Sequence, residues 1–359
     1  MHIKRSVSFI GLLALFSAFG QVYAQQHYFY KGRDYGSEAL FNPLTVFINA
    51  SYDIAQLDGY SNDIFRYDYA RNASTVFRNL GNPFGQISRF GWGNFLTKEI
   101  FPLSVSKNGA NWWPNYQLHL IGGGMTYTAL SEWYEAHNTA YPKTLAFITY
   151  SAYQLLNEIV ENNYYEGDDV DPIADMYIFN LAGIALFRSD DVKQFFAEDL
   201  HLADWSGQAS IVFPGAKLEN FGQSFSMKWK IPFFERWYLF YYFGMSGLGG
   251  LSYRYDDGSS LSVSAGLRAK FIRKFVIAES RLEHEPDLSF TLGLFYDRQN
   301  SLLFSMIMKT ESHTILEANV YPGILSLGGF SPGLWLQMHR DWTFMGGITT
   351  RWAPGIGIW

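Results

Sequence analysis

Cysteine is missing from all 359 residues. Its absence excludes disulfides, thiolate metal sites, a cysteine nucleophile and lipid attachment through an N-terminal cysteine. Charge is also scarce: 17% of residues are charged, and the net charge is -6. That leaves no basic footprint, so nucleic acid is not an expected partner. Long apolar runs are missing as well. Phe9 to Phe19 is shorter than the roughly 20 residues a membrane-spanning helix needs, and the greasiest later run, Pro172 to Phe187, carries Asp175 and Asn180. With a mean hydropathy of -0.07, a helical inner-membrane protein is not expected. A β-barrel is not excluded, because half of each of its strands is polar.

What the chain has in quantity is aromatic residues, with 24 Tyr, 31 Phe and 11 Trp. Such enrichment suits aromatic girdles at two membrane interfaces. Residues 1–24 read as an export signal: Lys4 and Arg5, then the run Phe9 to Phe19, then Val22-Tyr23-Ala24 ahead of a cleavage point. The competing reading of that run is a buried N-terminal helix. An exported chain without disulfides draws its rigidity from a large core or a closed hydrogen-bond network.

The last 150 or so residues alternate between a polar and an apolar face. Leu261, Val263, Ala265, Leu267, Ala269 and Phe271 point one way; Ser260, Ser262, Ser264, Gly266, Arg268 and Lys270 point the other. The same period runs through Phe225, Met227, Trp229 and Ile231, through Phe290, Leu292, Leu294 and Tyr296, through Leu302, Phe304, Met306 and Met308, and through Leu316, Ala318 and Val320. Short breaks at Asp256-Asp257-Gly258, Glu285-Pro286-Asp287 and Arg298-Gln299-Asn300 read as turns. The fold expected is mostly β: a transmembrane antiparallel barrel of about ten to twelve strands, some drawn from residues 26–60, with an N-terminal helical unit that plugs or caps it. A water-soluble sandwich also alternates. Against it stand the long strands, large aromatics such as Trp229 and Phe344 on the apolar face, and mid-strand charges such as Lys228, Lys230, Arg268, Glu279 and Arg281 on the other. Three parts result: the signal over 1–24, a mixed region over 25–204, and barrel strands over 205–359.

Within the mixed region, helical spacing appears near 115–135, 142–163 and 171–188, with Pro142 and Pro172 where helices begin. Residues 50–91 are polar and carry no clear period. The helical part holds the candidate site. His119, Glu158, Glu161 and Asp175 are the candidate acid–base residues, and His119, Glu158 and Asp175 are alternatively a divalent-metal set. A structural reading competes at each position. Asp171 before Pro172 suits a helix cap, Asp175 a first-turn acid, and Glu161 a solvated helix end. Gly122-Gly123-Gly124 suits close helix packing, and His119 suits a hydrogen-bonded core position. No nucleophile elbow or zinc-binding His-Glu-x-x-His occurs. Asn72-Ala73-Ser74 fits a glycosylation triplet, and His339 invites comparison with lumenal hydrolase histidines.

The segment Trp112-Trp113-Pro114-Asn115-Tyr116-Gln117-Leu118-His119, then Gly122 to Gly124 and Tyr127, then Asn157-Glu158 and Glu161, then Asp171, Asp175 and Asn180 to Gly183 resembles an uncharacterised family of bacterial outer-membrane proteins. That family has a His–Gly–Tyr segment, an aromatic-rich helix ending in Glu, and a later Asp–Gly–Gly-type segment. The order is similar, more loosely, to VanZ-like membrane proteins. The resemblance spans about residues 40–190 and departs at Asn180 to Gly183, where paired glycines are expected. It implies an envelope location and supplies no reaction. The expected role is structural, or binding of lipid, polymer or a partner protein. A lipid- or polymer-modifying hydrolase is the alternative, and a narrow channel lined by Lys228, Lys230, Arg268, Lys270 and Glu279 the third reading. Expected partners are outer-membrane lipid and the outer-membrane assembly machinery.

Overall fold

The computed structural model describes residues 26–102, 113–276 and 282–359. The export signal, Glu279 and Arg281 lie outside the described residues. Helices fill the first half. Helix α1 (Pro43–Ser51) starts on a capping box: Asn42 accepts from the N–H groups of Leu44 and Thr45, the Thr45 hydroxyl returns to the Asn42 N–H, and Pro43 occupies the first turn. The Asp68 side chain caps α2 (Tyr69–Gly81), and Pro83 opens α3 (Pro83–Phe90). A π-helical stretch, Trp113–Gly122, runs into α4 (Gly123–Ala136). Then come α5 (Pro142–Glu161) and α6 (Asp171–Ala174), which passes through a π-helical turn, Asp175–Phe179, into α7 (Asn180–Leu186). The three expected helical regions are therefore present. Residues 26–60 contribute no strand: the Asn42 cap and Pro43 start a helix there, flanked by short helical turns.

Sheet occupies the rest: β1 (Ala203–Asp204), β2 (Ser210–Phe213), β3 (Lys217–Glu219), β4 (Phe225–Lys230), β5 (Trp237–Phe243), β6 (Ser246–Arg254), β7 (Ser259–Val276), β8 (Leu282–Arg298), β9 (Ser301–Lys309), β10 (Thr314–Val320), β11 (Gly333–His339), β12 (Phe344–Thr350) and β13 (Ala353–Ile358). These form one mixed 13-stranded sheet in the order β1-β4-β5-β6-β7-β8-β9-β10-β11-β12-β13-β2-β3. Pairing is antiparallel throughout except between β13 and β2. No ladder joins β1 to β3, the two ends of this order. The chain on either side of them nevertheless runs side by side: the Trp205 N–H donates to the Ser224 carbonyl at 2.8 Å, and that of Gly207 to Gly222 at 2.9 Å.

Two of the three expected turns separate strands, at 256–258 and 298–300. The third does not, because β8 runs through Glu285-Pro286-Asp287. Its pairing with β9 begins only at Thr291, so Pro286 sits where β8 pairs with β7 alone, an edge position at which proline is tolerated.

The sheet's polarity is inverted relative to a water-soluble sheet. Apolar side chains lie on the exposed face: Trp229 is 60% accessible, Val263 58% and Ile356 60%, in rows with Leu239, Leu251, Leu267, Phe290, Leu292, Met308, Leu336 and Ile348. Polar side chains lie on the buried face, including Ser252, Ser262, Arg268, Thr291, Asp297, Ser305, Lys309, Gln337 and Thr349. On that inner side the Lys228 ammonium bonds the Asp297 carboxylate, and both are buried. One stretch is filled by rings, with Trp205, Phe240, Tyr242, Phe295 and Tyr321 packed together with Leu248 and Leu302.

Most of the helical unit packs on the apolar face of the sheet, beside β4 to β6. Met125, Phe187, Leu118 and Ile121 meet Phe225, Phe243, Met227 and Tyr241, and the Trp113 ring lies over Gly247. Two N-terminal segments reach the inner side: before α1, Leu40 joins the ring cluster and the Ser37 hydroxyl accepts from the Leu302 N–H at 3.3 Å, and after α1, Gln56 accepts from Arg268 at 3.1 Å and the Asp58 N–H bonds the Lys270 carbonyl at 2.7 Å. The expected plug is thus limited to these N-terminal segments, because α4 and its π-helical lead carry large apolar side chains that match the outer rows. Among the described residues no helix is long and apolar enough to cross a membrane.

Candidate functional site

Three helices converge through glycine. A Cβ added at Gly183 would fall 2.5 Å from the Leu120 carbonyl oxygen and 3.0 Å from that of His119; one at Gly124 would fall 2.6 Å from the Gly183 oxygen. The close-packing reading of the glycine run therefore holds. This approach brings His119 against α7 and the π-helical turn before it.

Asn180 Oδ1 accepts three hydrogen bonds there: from the Tyr150 hydroxyl at 2.8 Å, from Gln154 Nε2 at 3.0 Å and from His119 Nδ1 at 3.1 Å. An amide oxygen only accepts, so Nδ1 carries the imidazole proton. Nε2 faces Asp175 Oδ2 at 3.1 Å. Burial lowers the His119 pKa to about 4 and, helped by the charges of Glu161 and Glu99, raises that of Asp175 well above the carboxylate range. Burial and nearby carboxyls, Asp175 first, raise Asp171 likewise. The pair is therefore an uncharged dyad, a carboxylic acid donating to an imidazole nitrogen. The second carboxyl oxygen, Asp175 Oδ1, is buried and has no hydrogen-bond partner.

The dyad borders a cavity of about 190 Å³. Its polar wall carries His119, Asp175, Asp171 and Glu161, together with Asp53, Tyr153, Gln154, Asn157 and Gln223. Its larger apolar wall is built from Ile54, Trp113, Leu118, Met245, Ala269 and Leu288. Among the described residues neither lysine nor arginine lines it. Asp53 is fixed by the Gln223 N–H at 2.8 Å and by Gln56 at 2.6 Å, and burial raises its pKa to about 7.

His119, Glu161 and Asp175 are thus brought to one cavity. Glu158 is buried on α5 but does not line it. Among the described residues no group of three or more His, Asp or Glu side chains is placed to hold a metal ion, so the set His119, Glu158 and Asp175 does not form a metal site. The spacing of Glu158 and Glu161 suggested one face, and a three-residue step leaves about 60° between them, enough for only one to reach the cavity. Asp53, Tyr153 and Gln223 went unrecognised; the capping box at Asn42 was the signal that would have placed Asp53 just beyond a helix. Asn72 is fully buried in α2, which removes it as a glycosylation acceptor. His339 stacks on His313 at 4.5 Å and lies 3.3 Å from the Thr314 hydroxyl. It borders a separate polar cavity of about 410 Å³ on the inner side of the sheet, with Lys309, Glu317, Arg268 and Glu219. Compared with family models, curated proteins and solved structures, the chain finds no match.

Proposed function

We propose that this chain is an outer-membrane β-barrel protein of the bacterial envelope, and that it binds lipid or an envelope partner rather than conducting solute. The observation that carries this reading is the inverted sheet: large apolar side chains outside, and serines, threonines, lysines and carboxylates inside. In water such a surface would expose a contiguous apolar area far beyond what a monomer tolerates, whereas hydrocarbon is its matching solvent. Aliphatic side chains such as Leu239, Leu251 and Val263 hold the middle of the band. Trp237, Tyr255 and Trp352 lie towards one edge and Phe344 and Trp342 towards the other, as interfacial girdles require. A sheet in lipid must leave no open edge. The side-by-side run of the segment holding β1 and β2 with the one holding β3 and β4, and the parallel pairing of β13 with β2, support closure into a cylinder.

The ring cluster around Trp205 and Phe295 fills the interior and weighs against a channel. The hydrolase reading draws on the His119–Asp175 dyad, but among the described residues no serine or threonine lines that cavity to act as nucleophile. The test is reconstitution of the purified mature chain into lipid vesicles. Resistance to alkaline extraction, a band whose gel mobility changes on heating, and no unitary conductance in planar bilayers are expected. Recovery as a monodisperse protein in buffer without detergent would overturn the reading.

A further inference from the structure

We propose that the cavity between the helical unit and β7–β8 is a lateral binding site for a single-chain amphiphile. Its alkyl tail comes from the surrounding lipid, and its uncharged or cationic head donates a hydrogen bond to Asp175. The inference rests on the membrane reading above and assigns a ligand class to the candidate site.

The first support is continuity. Ala269 and Leu288 form one cross-strand pair, and the next pairs along the same face are Leu267 with Phe290 and Ala265 with Leu292. Leu267, Phe290 and Leu292 are exposed members of the apolar band. Leu288 is 36% accessible and is also a wall of the cavity, so the band runs without a polar break from its open surface into the pocket. The apolar lining that an alkyl chain lying on Phe290 and Leu292 would extend into includes Leu288, Ala269, Met245, Leu118 and Ile54.

The second support is the orphaned oxygen. Asp175 is 3% exposed and lines the cavity, and its Oδ1 has no partner. A buried acceptor left unpaired has lost its water without replacing it, and a ligand donor would supply the missing hydrogen bond. The proton of the acid is committed through Oδ2 to His119, so Oδ1 is left to accept only. The third support is the chemistry of the wall. Among the described residues no lysine or arginine lines it, so a phosphate or carboxylate head, with no cation to meet and no proton to donate, leaves Oδ1 unpaired. A hydroxyl or an ammonium satisfies it.

The test is native mass spectrometry and calorimetric titration of the full mature protein in detergent micelles, with dodecylglycerol monoester, dodecylamine and dodecanoate as probes. The monoester and the amine are expected to bind at least tenfold more tightly than dodecanoate. Asp175→Asn keeps an acceptor oxygen and is expected to retain both the monoester and the amine; Asp175→Leu is expected to lose both. Leu288→Trp, at the mouth and away from the dyad, is expected to weaken every probe at least tenfold while the heat-modifiable band persists. A preference for the monoester alone identifies a hydroxylated head, and one for the amine alone a cationic head; either supports the site. Equal or tighter binding of dodecanoate, or no binding of any probe to protein that inserts into vesicles, overturns the site and leaves the membrane reading standing. A protein that is soluble without detergent removes both.

Discussion

Val263 tests the solvent of the exposed face directly. It lies near mid-height of the apolar band, paired with Leu251 on one side and Leu294 on the other. Replacing it with arginine places a guanidinium among these neighbours. In hydrocarbon at mid-depth the penalty is about 2–4 kcal/mol, falling to about 0–1 near an interface. On a water-facing strand the same exchange at a 58% accessible site stays within about 0.5 kcal/mol. Leu261 supplies the depth control. It pairs with Tyr253 and Tyr296, one step nearer the turn at 255–258, where Trp237 and Tyr253 stack at 5.1 Å. The assay is urea unfolding of the protein folded in vesicles, read by tryptophan fluorescence with linear extrapolation. Val263→Arg is expected to lose about 2–4 kcal/mol and Leu261→Arg clearly less. Equal stability of wild type and Val263→Arg would refute the inference that this face meets lipid. So would a larger loss at Leu261 than at Val263.

Three further outcomes follow from the interior. Asp297→Asn leaves Lys228 buried beside a neutral amide; a loss of about 3–5 kcal/mol in the same urea titration is expected, and a neutral result would show that the pair is hydrated. Gly183→Val drives a Cβ into the Leu120 and His119 carbonyls, so a loss of about 1–3 kcal/mol is expected together with loss of probe binding in the cavity; unchanged binding would mean that the helices do not meet there. Asp53 has a folded pKa of about 7, above its unfolded value of about 4. Its stabilising contribution is therefore full below about pH 4 and is lost as pH rises through 7, by roughly 4 kcal/mol at most. His119 acts in the opposite sense: its folded pKa of about 4 lies below the unfolded 6.5, so its contribution is present above about pH 6.5 and lost as pH falls through 4. Comparing Asp53→Asn with wild type at pH 5 and pH 8 isolates the first effect. The variant is expected to lose less stability on going to pH 8, and a parallel loss in both would refute the assignment.

The strands were legible because a two-residue period survives in a short window. Ser262 and Val263 announce their opposite faces with no knowledge of the rest of the fold, and pairing then places Ser262 against Ser252 and Val263 against Leu251. The direction of burial was legible only by comparison, through the charge at Lys228 and Arg268 against the rings at Trp229 and Phe344. Helices α4 and α5 were legible from apolar spacing and from Pro142. Helices α1, α2 and α3 were not, because Asn49, Asn72, Asn79 and Gln86 are buried in place of apolar side chains and break the period. Their caps at Asn42 and Asp68 and the prolines 43 and 83 were the available local signals. At the site, the residue types were visible but their meeting was not. His119 reaches Asp175 and Asn180 across 56 and 61 positions of sequence, through a glycine contact that composition does not specify.

The helical unit's placement explains why a polar pocket borders an apolar surface. Along β4 to β6 the outward rows are covered: Phe225 and Phe243 are fully buried beneath Met125, Phe187 and Leu118. Along β7 and β8 the same rows are bare, as Val263, Leu267, Phe290 and Leu292 show. The cover ends at Met245, Ala269 and Leu288, and the cavity lies along this seam. Trp113 fastens the seam, with its ring over Gly247 and its indole N–H on the Gly244 carbonyl at 3.0 Å. A Cβ at Gly247 would fall 1.8 Å from the Trp113 ring, so Gly247→Leu forces the ring off the sheet without altering the outward pattern of the strand. If the seam is held this way, the variant's helical unit becomes sensitive to limited proteolysis near residues 113–122 while the strands stay resistant and heat-modifiable. Strands and helices that lose resistance together would show the helical unit to be integral to the sheet's stability, and a variant as resistant as wild type would show that Trp113 fastens nothing.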